Sequence, residues 1–149
     1  LKNALEPIQD DYDFILIDTP PNLGLTQGNV LSFAKEVLIP FQPESYSMRS
    51  LVKILKAIDD FRERHNPHLS VLGVVGTLID SRTVLHSQVL QECRAFCMEN
   101  NIPIFETVIP RTVRFAASVA YEGLPATLTN KSNTLVSSYF ELTKEMLTR

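Results

Sequence analysis

Residues 12–24 read YDFILIDTPPNLG. Within them, residues 14–17 form an apolar run that no polar side chain interrupts, and the run ends at Asp18. Uninterrupted apolar runs are typical of parallel strands that are covered on both faces. The two prolines that follow fix two φ angles and so stiffen the turn that leaves the carboxylate. The stretch therefore predicts a buried strand at 14–17 with a carboxylate at its end.

Three further apolar runs predict strands at 37–40, 71–75 and 107–109. Between them, and after the last, apolar residues recur at the spacing of helices. The three stripes are Leu51, Ile54, Leu55, Ile58 and Phe61, then Leu85, Val89, Cys93 and Phe96, then Leu135, Tyr139, Leu142 and Met146. Weaker patterns indicate helices at 23–35 and 112–121. This alternation predicts an α/β fold, one domain over residues 1–149, with a mostly parallel sheet covered by helices.

Composition excludes several classes of protein. The 149 residues are 44% hydrophobic and 21% charged, which is typical of a globular protein, and no apolar run approaches the roughly 20 residues of a membrane helix. The net charge of −3 argues against a surface that attracts nucleic acid everywhere, although residues 111–149 carry five basic and three acidic side chains. Because the chain begins with Leu1 and not with methionine, we expect it to be truncated or processed.

Cysteine and histidine residues give little sign of chemistry. Cys93 and Cys97 share a helix face, but two thiolates are an incomplete zinc site, so we expect free thiols in a reducing cytoplasm. The histidines have no neighbouring serine or cysteine at a strand–turn–helix elbow, and we assign them no catalytic role.

Polar residues after the strands are the candidates for a ligand site, because open α/β sheets bind ligands beyond the carboxyl ends of their strands. These residues are Asp18 to Pro21, Pro40 to Pro43, Thr77 to Thr83, and Pro110 with Arg111. An apolar strand that ends in aspartate is the Walker-B arrangement, in which the carboxylate holds Mg²⁺ beside the phosphates, usually through water. The alternative is that Asp18 is only a turn-forming residue.

Residues 12–24 resemble the Walker-B and switch II segment of ParA/Soj partition ATPases, members of the deviant-Walker group that includes MinD. The similarity continues in register through residues 37–40, 62–67, 80–83, 108–114 and 139–145. The resemblance implies a P-loop NTPase fold that lacks its N-terminal strands. It also implies that the P-loop strand lies between strands 14–17 and 37–40, so we expect the N-terminal segment to be rearranged or mobile.

Site residues follow from the same resemblance. It implies that Asp18 supports Mg²⁺, that Thr19 and Pro20 belong to switch II, and that the adenine of ATP is framed by Thr77, Asp80, Pro110 and Arg111. A rigid Pro-Arg pair can offer backbone groups to a base edge and a guanidinium plane to its face. The alternative for Arg111 is a surface arginine at a helix start.

The resemblance further implies binding to DNA of any sequence through basic side chains, here Arg114 and Lys131. The chain departs from the richer basic pattern of the family, with Glu99, Asn100 and Asn101 before the last strand.

A phosphate-binding loop needs Gly-Lys-Ser/Thr, and none of the five glycines is followed by lysine. We therefore expect the C-terminal part of an ATP-dependent partition ATPase that is inactive alone. The parent would be cytoplasmic, form a nucleoid-bound homodimer and respond to a ParB-like partner. The alternatives are a non-catalytic interaction module and a MinD-like positioning ATPase. The last helix has only Lys144 and Arg149 as cations, which disfavours a membrane anchor.

Overall fold

The structure, a computed structural model, describes residues 1–19, 24–112, 123–129 and 133–148. Two strands, with a helix between them, are preceded and followed by further helices in this part of the chain. In order they are α1 (Lys2–Leu5), a 3-10 helix (Glu6–Asp11), α2 (Leu25–Leu31), β1 (Glu36–Phe41), α3 (Ser47–Arg64), β2 (Ser70–Gly76), α4 (Val84–Glu99), α5 (Ala126–Thr129) and α6 (Thr134–Leu147). The predicted α/β class is confirmed, and the three strong helical stripes fall on α3, α4 and α6.

Strands β1 and β2 are parallel neighbours. At one end of the pair the Ser70 N–H donates to the Lys35 carbonyl at 2.9 Å, and at the other the Thr77 N–H donates to the Phe41 carbonyl at 2.8 Å. Residue numbers therefore increase in the same direction along both strands, as they do in a parallel pair. Helix α3 is the crossover connection that parallel strands require.

A third extended segment, residues 103–111, runs along β2 but is not a regular strand. It makes parallel bridges to β2 and the residues after it at two points only, Val74 with Ile104 and Ile79 with Pro110. The predicted strand at 107–109 is therefore replaced by an irregular one. The reason is a bulge. Between two successive hydrogen bonds the chain moves two residues along β2 but four residues along the segment 103–111. These bonds run from the Phe105 N–H to the Val74 carbonyl and from the Ile109 N–H to the Gly76 carbonyl.

Residues 14–17 do not form the predicted strand, and that prediction is wrong. They lie in an extended stretch outside the sheet, where Phe14 is 69% exposed and Leu16 is 87% exposed. The sheet of the described residues pairs β1 with β2 only, so no neighbouring strand satisfies the backbone of this run, and water must do so instead. The expectation of a rearranged segment is confirmed in this respect.

The chain divides into two compact units. The first comprises Leu1–Val37 and Val52–Ser70. Its buried hydrophobic residues are Val30, Leu31, Leu55, Ile58 and Leu69. The Asn66 amide nitrogen joins the end of α3 to the end of α2, because it donates to the carbonyls of Leu31 and Ala34 at 2.8 Å each.

The second unit comprises Leu38–Leu51 and Val71–Arg149. Its core contains a cluster of four buried side chains from β2, the bulged segment and α6, with two half-buried neighbours. The four are Val75, Phe105, Ile109 and Leu142, and the neighbours are Leu72 and Met146. That all 149 residues form one domain stays a prediction. None of the described helices is long and apolar enough to cross a bilayer.

Candidate functional site

The residues that follow β2 lie beside the end of the bulged segment. The Ile79 N–H donates to the Ile109 carbonyl at 3.1 Å, and the Arg111 N–H donates to the Ile79 carbonyl at 2.8 Å. Two of the predicted site segments, Thr77 to Asp80 and Pro110 to Arg111, are thereby brought together in the second unit. They occupy the carboxyl end of a parallel strand, which is the usual ligand-binding position in an open α/β sheet.

The loop after β2 contains a strained residue. Leu78 has a φ of 53°, in the left-handed region that residues with a side chain seldom adopt. Such conformations cost on the order of 1–3 kcal/mol and persist where the surrounding structure holds them. Here the ladder bonds of Ile79 on one side and Thr77 on the other fix the turn.

The Asp80 carboxylate is occupied by a residue of its own loop. Its Oδ1 accepts from the Arg82 Nε at 2.9 Å and from the Arg82 backbone N–H at 3.1 Å, and its Oδ2 accepts from the Arg82 Nη2 at 2.8 Å. These hydrogen bonds hold the pKa of the Asp80 carboxyl well below its usual range, and the same pairing raises the pKa of Arg82. Asp80 thus fixes a guanidinium whose side chain is 87% exposed.

His86, on the first turn of α4, also holds this loop. Its Nδ1 accepts a hydrogen bond from the Asp80 backbone N–H at 3.0 Å, so Nδ1 carries no proton. The Thr83 hydroxyl donates to the Asp80 carbonyl at 2.9 Å and does not cap α4. Sequence reasoning gave His86 no role. The sequence feature that could have indicated its role is its position, within one helical turn of a predicted strand-end loop.

At the strand end, Arg111 is exposed. The remaining predicted residues lie elsewhere, with Asp18 exposed and Thr19 half-buried in the first unit, at the end of the extended stretch. Pro20, Arg114 and Lys131 lie outside the described residues, as does most of the predicted helix at 112–121.

A magnesium ion fits Asp18 in chemical terms. Mg²⁺ commonly takes one or two carboxylates and completes its shell with water and phosphate oxygens, and the Asp18 carboxylate is accessible. Across the described ranges no three histidine, cysteine, aspartate or glutamate residues converge into an all-protein metal site.

Comparison with known structures defines the class of the chain. The crystal structure of cobyrinic acid a,c-diamide synthase from Mycobacterium smegmatis with bound ADP and magnesium is similar, with a TM-score of 0.66 and 30% identity. The similarity covers 83% of this chain and 54% of that chain. Parallel strands, crossover helices and a candidate site at the strand ends thus define an α/β protein of the P-loop NTPase class.

Comparison with known sequences is more specific. The family model AAA_31, described as an AAA domain, matches residues 1–71. The chain is 36% identical over 149 residues to the chromosome partitioning protein ParA of Myxococcus xanthus, covering 100% of this chain and 51% of that protein. It is 35% identical over 146 residues to the sporulation initiation inhibitor protein Soj of Bacillus subtilis, covering 98% of this chain and 56% of that protein. The chain is similar to the ParA and Soj proteins over almost its whole length, so the resemblance that the sequence predicts is confirmed, and it spans about half the length of these relatives.

Proposed function

We propose that the protein is an ATP-dependent DNA partition ATPase. In this proposal it binds Mg-ATP, forms a homodimer, binds DNA without sequence preference, and hydrolyses ATP faster when a ParB-like partner engages it. It acts in the cytoplasm, on the nucleoid. The observation that carries the proposal is similarity to ParA and Soj over essentially the whole chain. The bound ADP and magnesium of the M. smegmatis relative support the choice of ligand.

Each predicted residue has a defined part in the proposal. Asp18 would hold the magnesium ion, and the ion would supply positive charge beside the phosphates. Thr19 and Pro20 belong to the switch segment that follows it. Thr77, Asp80, Pro110 and Arg111 frame the adenine.

The geometry of the strand end refines the part played by Asp80. Because both of its carboxylate oxygens accept from Arg82, the side chain is best suited to hold the loop in shape. Contact with a base then falls to backbone groups and to the exposed Arg111. Phosphate cradling by a Gly-Lys-Ser/Thr loop is not provided by these 149 residues.

DNA binding in this proposal rests on Arg114 and Lys131, together with their counterparts in the second copy. Each lysine or arginine that neutralises a phosphate releases a counterion, which steepens the salt dependence of binding by about 0.9 per contact. Replacing both residues with glutamate is therefore expected to weaken DNA binding at low salt and to flatten its dependence on salt.

The proposal is tested on the protein expressed from its complete reading frame. Asp18→Ala is expected to retain the fold, because Asp18 is exposed, and to lose ATP hydrolysis by about a hundredfold or more. Arg111→Ala is expected to weaken ATP binding in calorimetry by about tenfold, equivalent to about 1.4 kcal/mol. Arg64→Ala is the matched control, an exposed arginine at the end of α3.

Three outcomes would contradict parts of the proposal. If the Asp18→Ala variant hydrolyses ATP at a near-normal rate, Asp18 is not the Walker-B carboxylate. Equal effects of Arg111→Ala and Arg64→Ala remove the base-binding role of Arg111. A wild-type protein that binds neither ATP nor DNA, yet binds a protein partner, favours the interaction module.

A further inference from the structure

Three residues lie between the ladder bonds of Phe105 and Ile109, and the ladder with β2 uses none of their backbone amides. Two of these amides belong to Glu106 and Thr107. Both are taken by one side chain from the last helix. The Glu106 N–H donates to the Glu145 Oε1 at 2.9 Å, and the Thr107 N–H donates to the Glu145 Oε2 at 3.0 Å.

The two hydrogen bonds from these amides to the Glu145 carboxylate are strong ones. Each carboxylate oxygen accepts one amide, and hydrogen bonds to an ionised acceptor are about twice as strong as neutral ones. Glu145 and Thr107 are both half-buried, so water competes only in part for these groups. A second contact holds the bulge from α4, where the Arg94 Nη1 meets the Glu106 Oε2 at 2.6 Å and the Arg94 Nη2 donates to the Glu106 carbonyl at 3.0 Å.

The bulge determines which residues reach the candidate site. Its two extra residues lie between Phe105 and Ile109, so they set the register in which Ile109 and Arg111 pair with Ile79. If the two amides lose their acceptor, one rearrangement that keeps them hydrogen-bonded draws the extra residues into the ladder. That change would shift Pro110 and Arg111 along β2 and out of their present place beside Thr77 to Asp80.

We propose that Glu145 is a positioning residue for base recognition, acting through the bulge on Pro110 and Arg111. The inference rests on the proposed nucleotide-binding function. Glu145 is remote in sequence from the strand-end segments, and both of its carboxylate oxygens accept from amides of the bulge. Its effect is therefore expected on the choice of base, while contacts to the phosphates are unaffected.

The test compares Glu145→Gln with Glu141→Gln in the protein from its complete reading frame. Glutamine keeps the size of glutamate but offers one acceptor oxygen and turns an NH₂ donor toward the second amide. Glu141 is an exposed glutamate one turn earlier on the same helix, so its replacement makes the same change in charge. Hydrogen exchange at the Glu106 and Thr107 amides measures the bulge. Competition by ATP, GTP and inorganic tripolyphosphate measures base choice against phosphate binding.

Glu145→Gln is expected to speed exchange of the two amides at least tenfold and to reduce the preference for ATP over GTP about tenfold, as loss of one charged hydrogen bond implies. Tripolyphosphate binding is expected to stay unchanged, and Glu141→Gln to match wild type throughout. If Glu145→Gln does not fold, Glu145→Asp replaces it, since it keeps the charge, and an intermediate loss is expected.

Unchanged exchange at both amides overturns the role of Glu145 in holding the bulge. Faster exchange with an unchanged ATP-to-GTP preference overturns its link to base recognition. A wild-type protein that binds no adenine nucleotide overturns the proposed function itself, and the exchange measurement then still decides whether Glu145 holds the bulge.

Discussion

Gly73, in the middle of β2, is the position where the smallest change should have a large effect. A Cβ added there would lie 2.5 Å from Cε2 and 3.0 Å from Cδ2 of Phe105. Carbon atoms in contact normally stay about 3.5–4.0 Å apart, so the ring would have to move by about an ångström. It has little room to do so, because Phe105 is 1% exposed and packs with Val75, Ile109 and Leu142.

The expected cost of Gly73→Ala is the difference between two terms. Overpacking a filled core costs about 1–3 kcal/mol, while replacing glycine with alanine stabilises by about 0.4–1 kcal/mol through the unfolded chain. The free energy of unfolding should therefore fall by about 1–2 kcal/mol. For a chain of this size, each kcal/mol lowers the melting temperature by about 2–4 °C.

Urea and thermal unfolding followed by circular dichroism measure this effect. Gly28→Ala is the matched control in α2, where a Cβ would meet only Phe61 Cε2 at 3.9 Å, and it should stabilise by about 0.5–1 kcal/mol. In the double variant with Phe105→Leu, the smaller side chain makes room for the added methyl group. The double variant should therefore lose less stability than the two single variants lose in total. Gly73→Ala with wild-type stability, or strict additivity with Phe105→Leu, would refute the argument.

Two other predictions concern titratable groups. Burial raises the pKa of Cys93 to about 12 and also raises that of Cys97, so both thiols should resist a thiol reagent at neutral pH until urea unfolds the protein, and rapid labelling of the native state would contradict this. Because Arg82 lowers the pKa of Asp80 below its ordinary value of 3.8, the pair should contribute stability above that pH and lose it in more acid solution. The difference in stability between wild type and Asp80→Asn should shrink only below about pH 4, and a difference that is constant through pH 3 would contradict it.

Patterns within a single element predicted the fold well. The stripes that predict α3, α4 and α6 depend on a helix burying one face, and buried residues do fall on them, among them Leu51, Leu55, Ile58, Cys93 and Leu142. The runs at 37–40 and 71–75 became β1 and β2 because each found the other as a parallel neighbour. Periodicity and strand pairing agreed in these elements.

The failures have a common physical cause, which is pairing between distant segments. Residues 14–17 are as apolar as β2, yet a strand exists only where another strand satisfies its backbone, and sequence periodicity does not report the partner. The amides of the bulge in 103–111 likewise donate to the carboxylate of Glu145, a residue 38 and 39 positions away from them. Glu145 was noted only as part of a family motif, and nothing in the local pattern connected it with the strand end.

At the candidate site, the sequence predicted which residues lie together but not what each of them contacts. Strand-end position correctly brought Thr77 to Asp80 beside Pro110 and Arg111. It could not foresee that Asp80 would be committed to Arg82 and His86, because those contacts form within a loop whose backbone geometry, with Leu78 at a φ of 53°, the sequence pattern does not report. A ligand at this edge would meet backbone groups and exposed guanidinium groups before it met a carboxylate. For the proposed nucleotide site, that arrangement favours recognition of a base by shape and backbone, and it makes the register of the bulged segment the property on which recognition depends.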